Sequence, residues 1–92
     1  MKKLKVREAR KVFEKLGMKI REEGGDTIAS LYHEGQLVVR TKVPHKSGEL
    51  KGKLPHYVRQ QLRVNEIQFS GIKDCTIERD GYIRILAEKG IV

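Results

Sequence analysis

Three histidines, His33, His45 and His56, are the residues of this 92-residue chain best suited to moving protons near neutral pH. They stand 12 and 11 positions apart, a spacing that gives no zinc-site signal, and Cys75 is the one cysteine. What a histidine beside cations can do without a metal is cleave RNA. The neighbouring 2′-hydroxyl is itself the nucleophile, so the protein needs to supply only a general base or acid and a positive charge for the phosphorane. His45, next to Lys46, fits that requirement, with phosphate contact or loop packing as its plainer reading. His33 precedes Glu34 and reads first as a hairpin-edge residue, while His56 reads as an ordinary exposed helix position.

Cations accompany these histidines unevenly. The chain carries 20 Lys and Arg against 12 Asp and Glu, for a formal charge of +8 and a pI near 9.8. Residues 37 to 63 hold seven of the basic groups and a single carboxylate, Glu49. A block of that kind suits phosphate neutralisation, and it predicts a polyanion as partner without choosing between RNA, DNA and an acidic protein surface. The expected contact residues are Arg40, Lys42, His45, Lys46, Lys51, Lys53, Arg59 and Arg63. Lys51 and Lys53 are placed at the start of a helix, where free N–H groups add partial positive charge. Arg40 and Lys42, on the strand before it, are expected to extend the same surface. Solvated charge with no partner is the plainer alternative. A phosphate-loop nucleotide site is excluded, because Gly48 and Gly52 are four apart and Leu54 follows Lys53.

These residues must be positioned by a small fold. Ninety-two residues bury roughly 60–65% of the unfolded chain's surface, enough for one core, so residues 1–92 are expected to form a single domain. The absence of a long apolar run predicts no membrane span, and the charged start predicts no signal peptide and a cytoplasmic location. No cofactor and no metal are expected. Cys75 is expected to be a small buried apolar residue.

Val6, Ala9, Val12, Phe13 and Leu16 recur at steps of three and four, the stripe of an amphipathic helix that Gly17 ends. Met18 to Glu23 reads as a strand, with Met18 and Ile20 on one face and Lys19 and Arg21 on the other. Gly24-Gly25-Asp26 reads as a turn, and Thr27 to His33 as a second strand whose imperfect alternation allows a bulge. After a turn at Glu34-Gly35, Leu37, Val39, Thr41 and Val43 form one face of a third strand. A polar loop from Pro44 to Gly52 leads to a helix carrying Leu54, Val58, Gln61 and Leu62, with Pro55 in its first turn. Asn65 caps a third helix with Ile67, Phe69 and Ile72, and Thr76 is the expected cap of a fourth with Tyr82 and Leu86. Glu8, Lys11 and Lys15 look like a solvated ion-pair ladder, and Tyr57 is expected in the core. The fold class is α+β: an α-β-β-β-α core with a three-stranded antiparallel sheet, followed by a helical extension over residues 64–92.

Taken in order, Phe13-Glu14-Lys15-Leu16-Gly17-Met18, three strands, Val43-Pro44-His45 and Gly48-Glu49-Leu50-Lys51 before Leu54 and Leu62 resemble the HicA (YcfA-like) family over residues 6–63. The extension resembles longer variants associated with archaea. This resemblance implies a fold similar to the double-stranded-RNA-binding domain, and a toxin–antitoxin role in which an mRNA-cleaving toxin is inhibited by a HicB-like antitoxin. It also implies a catalytic histidine after a glycine and a serine at the start of the second strand. Here Gly24-Gly25-Asp26-Thr27 stands in that place. Asp26 repels phosphate and the Thr27 hydroxyl is a poor base. RNA binding with weak or absent cleavage is therefore the expected function. The alternatives are a metal-independent ribonuclease using His45, which matches the family's Pro-His position, or His33 on the second strand, and a protein-interaction module.

Overall fold

The computed structural model describes residues 3–45 and 48–92, so the expected contact residue Lys46 lies outside the described residues. The elements run α1 (Val6–Lys15), β1 (Lys19–Glu23), β2 (Asp26–His33), β3 (Gln36–Pro44), α2 (Leu54–Gln61), α3 (Glu66–Lys73) and α4 (Arg79–Glu88). The architecture is α+β, with one antiparallel sheet in the order β1-β2-β3. No helix among the described residues is long and apolar enough to cross a membrane.

The apolar stripe of α1 buries Val6, Ala9, Val12 and Phe13. Its first turn is closed by the Lys5 amide, which donates to Glu8 Oε1 at 2.9 Å. Gly17 reverses the chain at φ +69°, and a Cβ there would lie 2.9 Å from the Arg79 guanidinium. That close approach lets Arg79 donate to the Leu16 carbonyl at 2.6 Å, tying the start of α4 to the end of α1.

Gly24 and Gly25 make the first hairpin turn alone, because Asp26 already pairs with Glu23 as the first residue of β2. Thr27, Ala29 and Leu31 of β2 and Val39, Thr41 and Val43 of β3 are buried beneath the helices. Leu37 does not join them. Leu31 pairs with Val39 and Tyr32 with Leu37, so Val38 is an extra residue in β3. The bulge moves Leu37 from the inner set to the Tyr32 side, where it is 52% exposed.

Phe69, Ile72, Tyr82 and Leu86 belong to the same buried cluster as Phe13, Leu31, Val43 and Leu62. The core's polar groups find partners: Thr41 Oγ1 donates to Gln61 Oε1 at 2.5 Å, and Tyr82 Oη donates to the Leu62 carbonyl at 2.7 Å. Burial pushes the Tyr82 phenol well above its ordinary pKa, so it stays a donor. Asn65 caps α3, its side chain accepting from the Gln68 amide at 2.7 Å while Gln68 Oε1 accepts from the Asn65 amide at 3.0 Å.

Thr76 is not the cap of α4. Its hydroxyl donates to the Gly71 carbonyl at 3.0 Å, which closes the α3–α4 turn, and the cap position falls on Glu78. Cys75 is exposed rather than buried, at φ +68° beside the Lys15 ammonium. Lys15 also donates to the Ile72 carbonyl at 2.9 Å, and Glu8 pairs with Lys73 at 3.2 Å. The expected solvated ladder is thus a set of contacts between α1 and α3. Tyr57 stands 51% exposed rather than in the core.

Candidate nucleic-acid interface

The chain leaving β3 is stitched to the segment that enters α1. The Leu50 amide donates to the Leu4 carbonyl at 2.8 Å, and the Val6 amide donates to the Gly48 carbonyl at 2.8 Å. These bonds bring His45 to the first turns of α1, although the two are some 35 to 40 positions apart in sequence. A further backbone bond, from the His45 amide to the Gly25 carbonyl at 2.8 Å, continues the β2–β3 ladder by one residue. Strand alternation then returns the imidazole to the inner side, level with Thr27 and Glu22.

Glu22 organises this corner. Its Oε2 lies 2.6 Å from His45 Nδ1 and accepts from the buried Thr27 hydroxyl at 3.0 Å, while its Oε1 lies 3.2 Å from the Arg10 guanidinium. The His45 Nδ1–H donates to the carboxylate, which fixes the ring's orientation and leaves Nε2 as the nitrogen without a partner among the described residues. A base held in one tautomer by a carboxylate is the arrangement that general-base chemistry uses.

Beside this cluster opens a cleft of about 630 Å³, lined by Lys5, Arg7, Arg10, His45, Gly48 and Glu49. Three cations and an oriented imidazole thus meet at one concavity, against the Glu49 carboxylate. Glu49 is drawn away at its rim by Lys3, 4.0 Å from it. Glu8, on the same turn of α1, is held below the ordinary carboxylate range by the Lys5 amide that it accepts from and by Lys73. The cleft therefore combines three cations and a hydrogen-bonding imidazole with one carboxylate on its wall.

The expected basic block does not form one surface. Arg40 and Lys42 stand on the outer face of the sheet, opposite Thr41 and Val43 and away from the helices. Lys51 and Lys53 are exposed at the start of α2. Arg59 is spent on structure: its guanidinium donates to the Val64 carbonyl at 3.0 Å, and its Nε is buried without a partner among the described residues. Arg63 lies beyond the far end of α2, exposed at φ +64°. His33 sits 3.8 Å from Glu34 at the other end of β2 from His45, about 23 Å away along an eight-residue strand. His56 is half-buried on α2.

Lys5, Arg7, Arg10 and Glu22 escaped the sequence reading, and Thr27, weighed there as a base, serves instead as a donor to Glu22. A signal for Glu22 was present: alternation puts it on the Met18 and Ile20 face, an inward carboxylate in need of a partner. Arg7 and Arg10, three apart, share a helix face. Among the described residues, no three His, Cys, Asp or Glu side chains gather to hold a metal ion. No family model, no curated protein and no solved structure matches this chain.

Proposed function

We propose that this chain binds RNA by its phosphodiester backbone, in the cleft between the start of α1 and the loop that follows β3. The observation that carries this reading is the convergence of Lys5, Arg7 and Arg10 on a cleft that also exposes His45. Lysine and arginine side chains neutralise phosphate, and three of them on one concave wall give a salt-dependent affinity. The test is a titration of labelled duplex and single-stranded RNA at two salt concentrations. Binding that steepens as salt falls, and that Arg7→Gln with Arg10→Gln removes, is the expected result; affinity unchanged in that variant overturns the assignment to the cleft.

A second reading, metal-independent cleavage, is favoured by the 2.6 Å contact between Glu22 and His45. His45 Nε2 would take the 2′-hydroxyl proton as the 2′-oxygen attacks phosphorus. The P–O5′ bond then breaks, giving a 2′,3′-cyclic phosphate and a 5′-oxygen that is reprotonated from solvent, with Arg10 or Arg7 meeting the phosphorane charge. The vacancy left at Asp26 and Thr27 by the HicA-like pattern would in this reading be filled from the third strand. Products appearing without added metal, and lost in His45→Ala, support it; intact RNA after prolonged incubation at saturating protein returns the chain to a pure binding role. The HicA-like proposal also carries a HicB-like antitoxin as partner, for which co-purification with the product of a neighbouring gene is the direct check.

A further inference from the structure

The outer face of the sheet is a second charged surface, separated from the cleft by the thickness of the sheet. Two cross-strand rows build it. In one, Lys19 and Arg40 flank Ser30; in the next, Arg21 and Lys42 flank Ile28. All four cations are exposed. Ile28, between Arg21 and Lys42 in this row, is nonetheless only 7% exposed.

The charge is not evenly neutralised along this face. Near the Gly24-Gly25 turn, Arg21 pairs with Glu23 at 2.8 Å and Lys42 with Asp26 at 3.9 Å. Toward the other end, Lys19 and Arg40 have no carboxylate partner among the described residues. Here the central strand presents Tyr32, 42% exposed, with the Lys19 ammonium 5.0 Å from its ring centroid. Leu37, brought beside Tyr32 by the β3 bulge, adds an exposed apolar side chain. Cations without a carboxylate partner among the described residues, an aromatic ring and an apolar neighbour therefore coincide on one exposed patch.

We propose that this patch binds single-stranded nucleic acid, a base stacking on Tyr32 and Leu37 while Lys19 and Arg40 take the flanking phosphates. A duplex hides its base faces inside the stack and offers only its backbone, so a ring on a flat sheet is useful to an unpaired strand. An acidic peptide would use the cations and leave the ring idle. The proposal is independent of the cleft: it concerns other residues, another face and another form of the ligand.

The experiment is fluorescence anisotropy with a uridine oligomer of about a dozen nucleotides, a duplex of similar length and polyglutamate, on the full chain and three variants. Tyr32→Ala is expected to weaken the single strand about tenfold and the duplex by less than twofold, with Tyr32→Phe restoring wild-type affinity. Lys19→Gln with Arg40→Gln is expected to weaken the single strand and lower its salt slope by about 1.4. Arg7→Gln with Arg10→Gln serves as the cleft control, and single-strand binding that survives it separates this proposal from the cleft reading. Apart from Arg10, which is half-buried and paired with Glu22, the substituted side chains are exposed, and a circular-dichroism melt checks that each variant folds. Single-strand affinity that is unchanged in Tyr32→Ala, or lost equally for single strand, duplex and polyglutamate, overturns the proposal.

Discussion

The two sides of this sheet carry the same kind of charge in different company. On the helix side, Arg10 and His45 are held by one carboxylate, Glu22, in a concavity where Lys5 and Arg7 complete the wall. On the outer side, Lys19 and Arg40 are exposed and have no carboxylate partner among the described residues, and the Lys19 ammonium lies over the Tyr32 ring. Fixed groups around a cavity can act on a bond, because the geometry they need is already present before the ligand arrives. Mobile cations around a ring can retain a strand but cannot orient a reaction. On the two proposals above, the first surface is the candidate for chemistry and the second for capture.

The sharpest way to break this comparison is to remove the imidazole. If the cleft cleaves RNA, His45→Ala lowers the rate by about 10²–10⁴-fold with little change in affinity, whereas His33→Ala changes neither, as a gel assay of labelled RNA would record. A smaller effect is expected from Glu22→Gln, about 10–100-fold in kcat with KM nearly constant, because Glu22 positions the ring without touching the substrate. Equal rates in wild type and Glu22→Gln would leave the carboxylate as a fold element only. Next in size, Arg7→Gln with Arg10→Gln should weaken duplex RNA about tenfold and lower the salt slope by nearly two, while Lys19→Gln with Arg40→Gln leaves the duplex almost unaffected.

The smallest effect concerns the first turn of α1, next to the cleft. Glu8 has a folded-state pKa below its unfolded value, so its contribution is complete above the ordinary carboxylate range near 4.3 and is lost as pH falls through the lower folded value. A first-turn carboxylate of this type contributes on the order of 0.3–1 kcal/mol. Thermal melts between pH 6 and pH 3 should therefore show a slightly steeper loss of stability in wild type than in Glu8→Gln; identical slopes would remove Glu8 from the account.

Local patterns in the sequence were sufficient for most of the fold. The 3–4 spacing from Val6 to Leu16, the alternation around Val39, Thr41 and Val43, and Asn65 ahead of Gln68 each state a rule that adjacent residues can satisfy among themselves. Leu37 escaped because one extra residue in β3 inverts its side without altering its composition. Thr76 was misplaced because its hydroxyl had a competing acceptor in Gly71. The site was less legible for a related reason. His45 stood out by residue type, but its partners Glu22, Thr27 and Arg10 arrive through hydrogen bonds between segments far apart in sequence. The basic block was a grouping along the chain, and the pleat of β3 and the length of α2 divided it among three surfaces.

The Tyr82 hydroxyl, bonded to the Leu62 carbonyl at the end of α2, has a bearing on how this protein comes apart. That carbonyl is one of the orphaned acceptors at a helix end, and its donor comes from α4, twenty positions along the chain. Each would have to bond to water instead if its own half of the molecule folded without the other, and the side chains around them belong to one hydrophobic cluster. Residues 6–63 and 64–92 are therefore expected to unfold as a single cooperative unit, which limited proteolysis checks: a stable fragment ending near residue 63 would refute it.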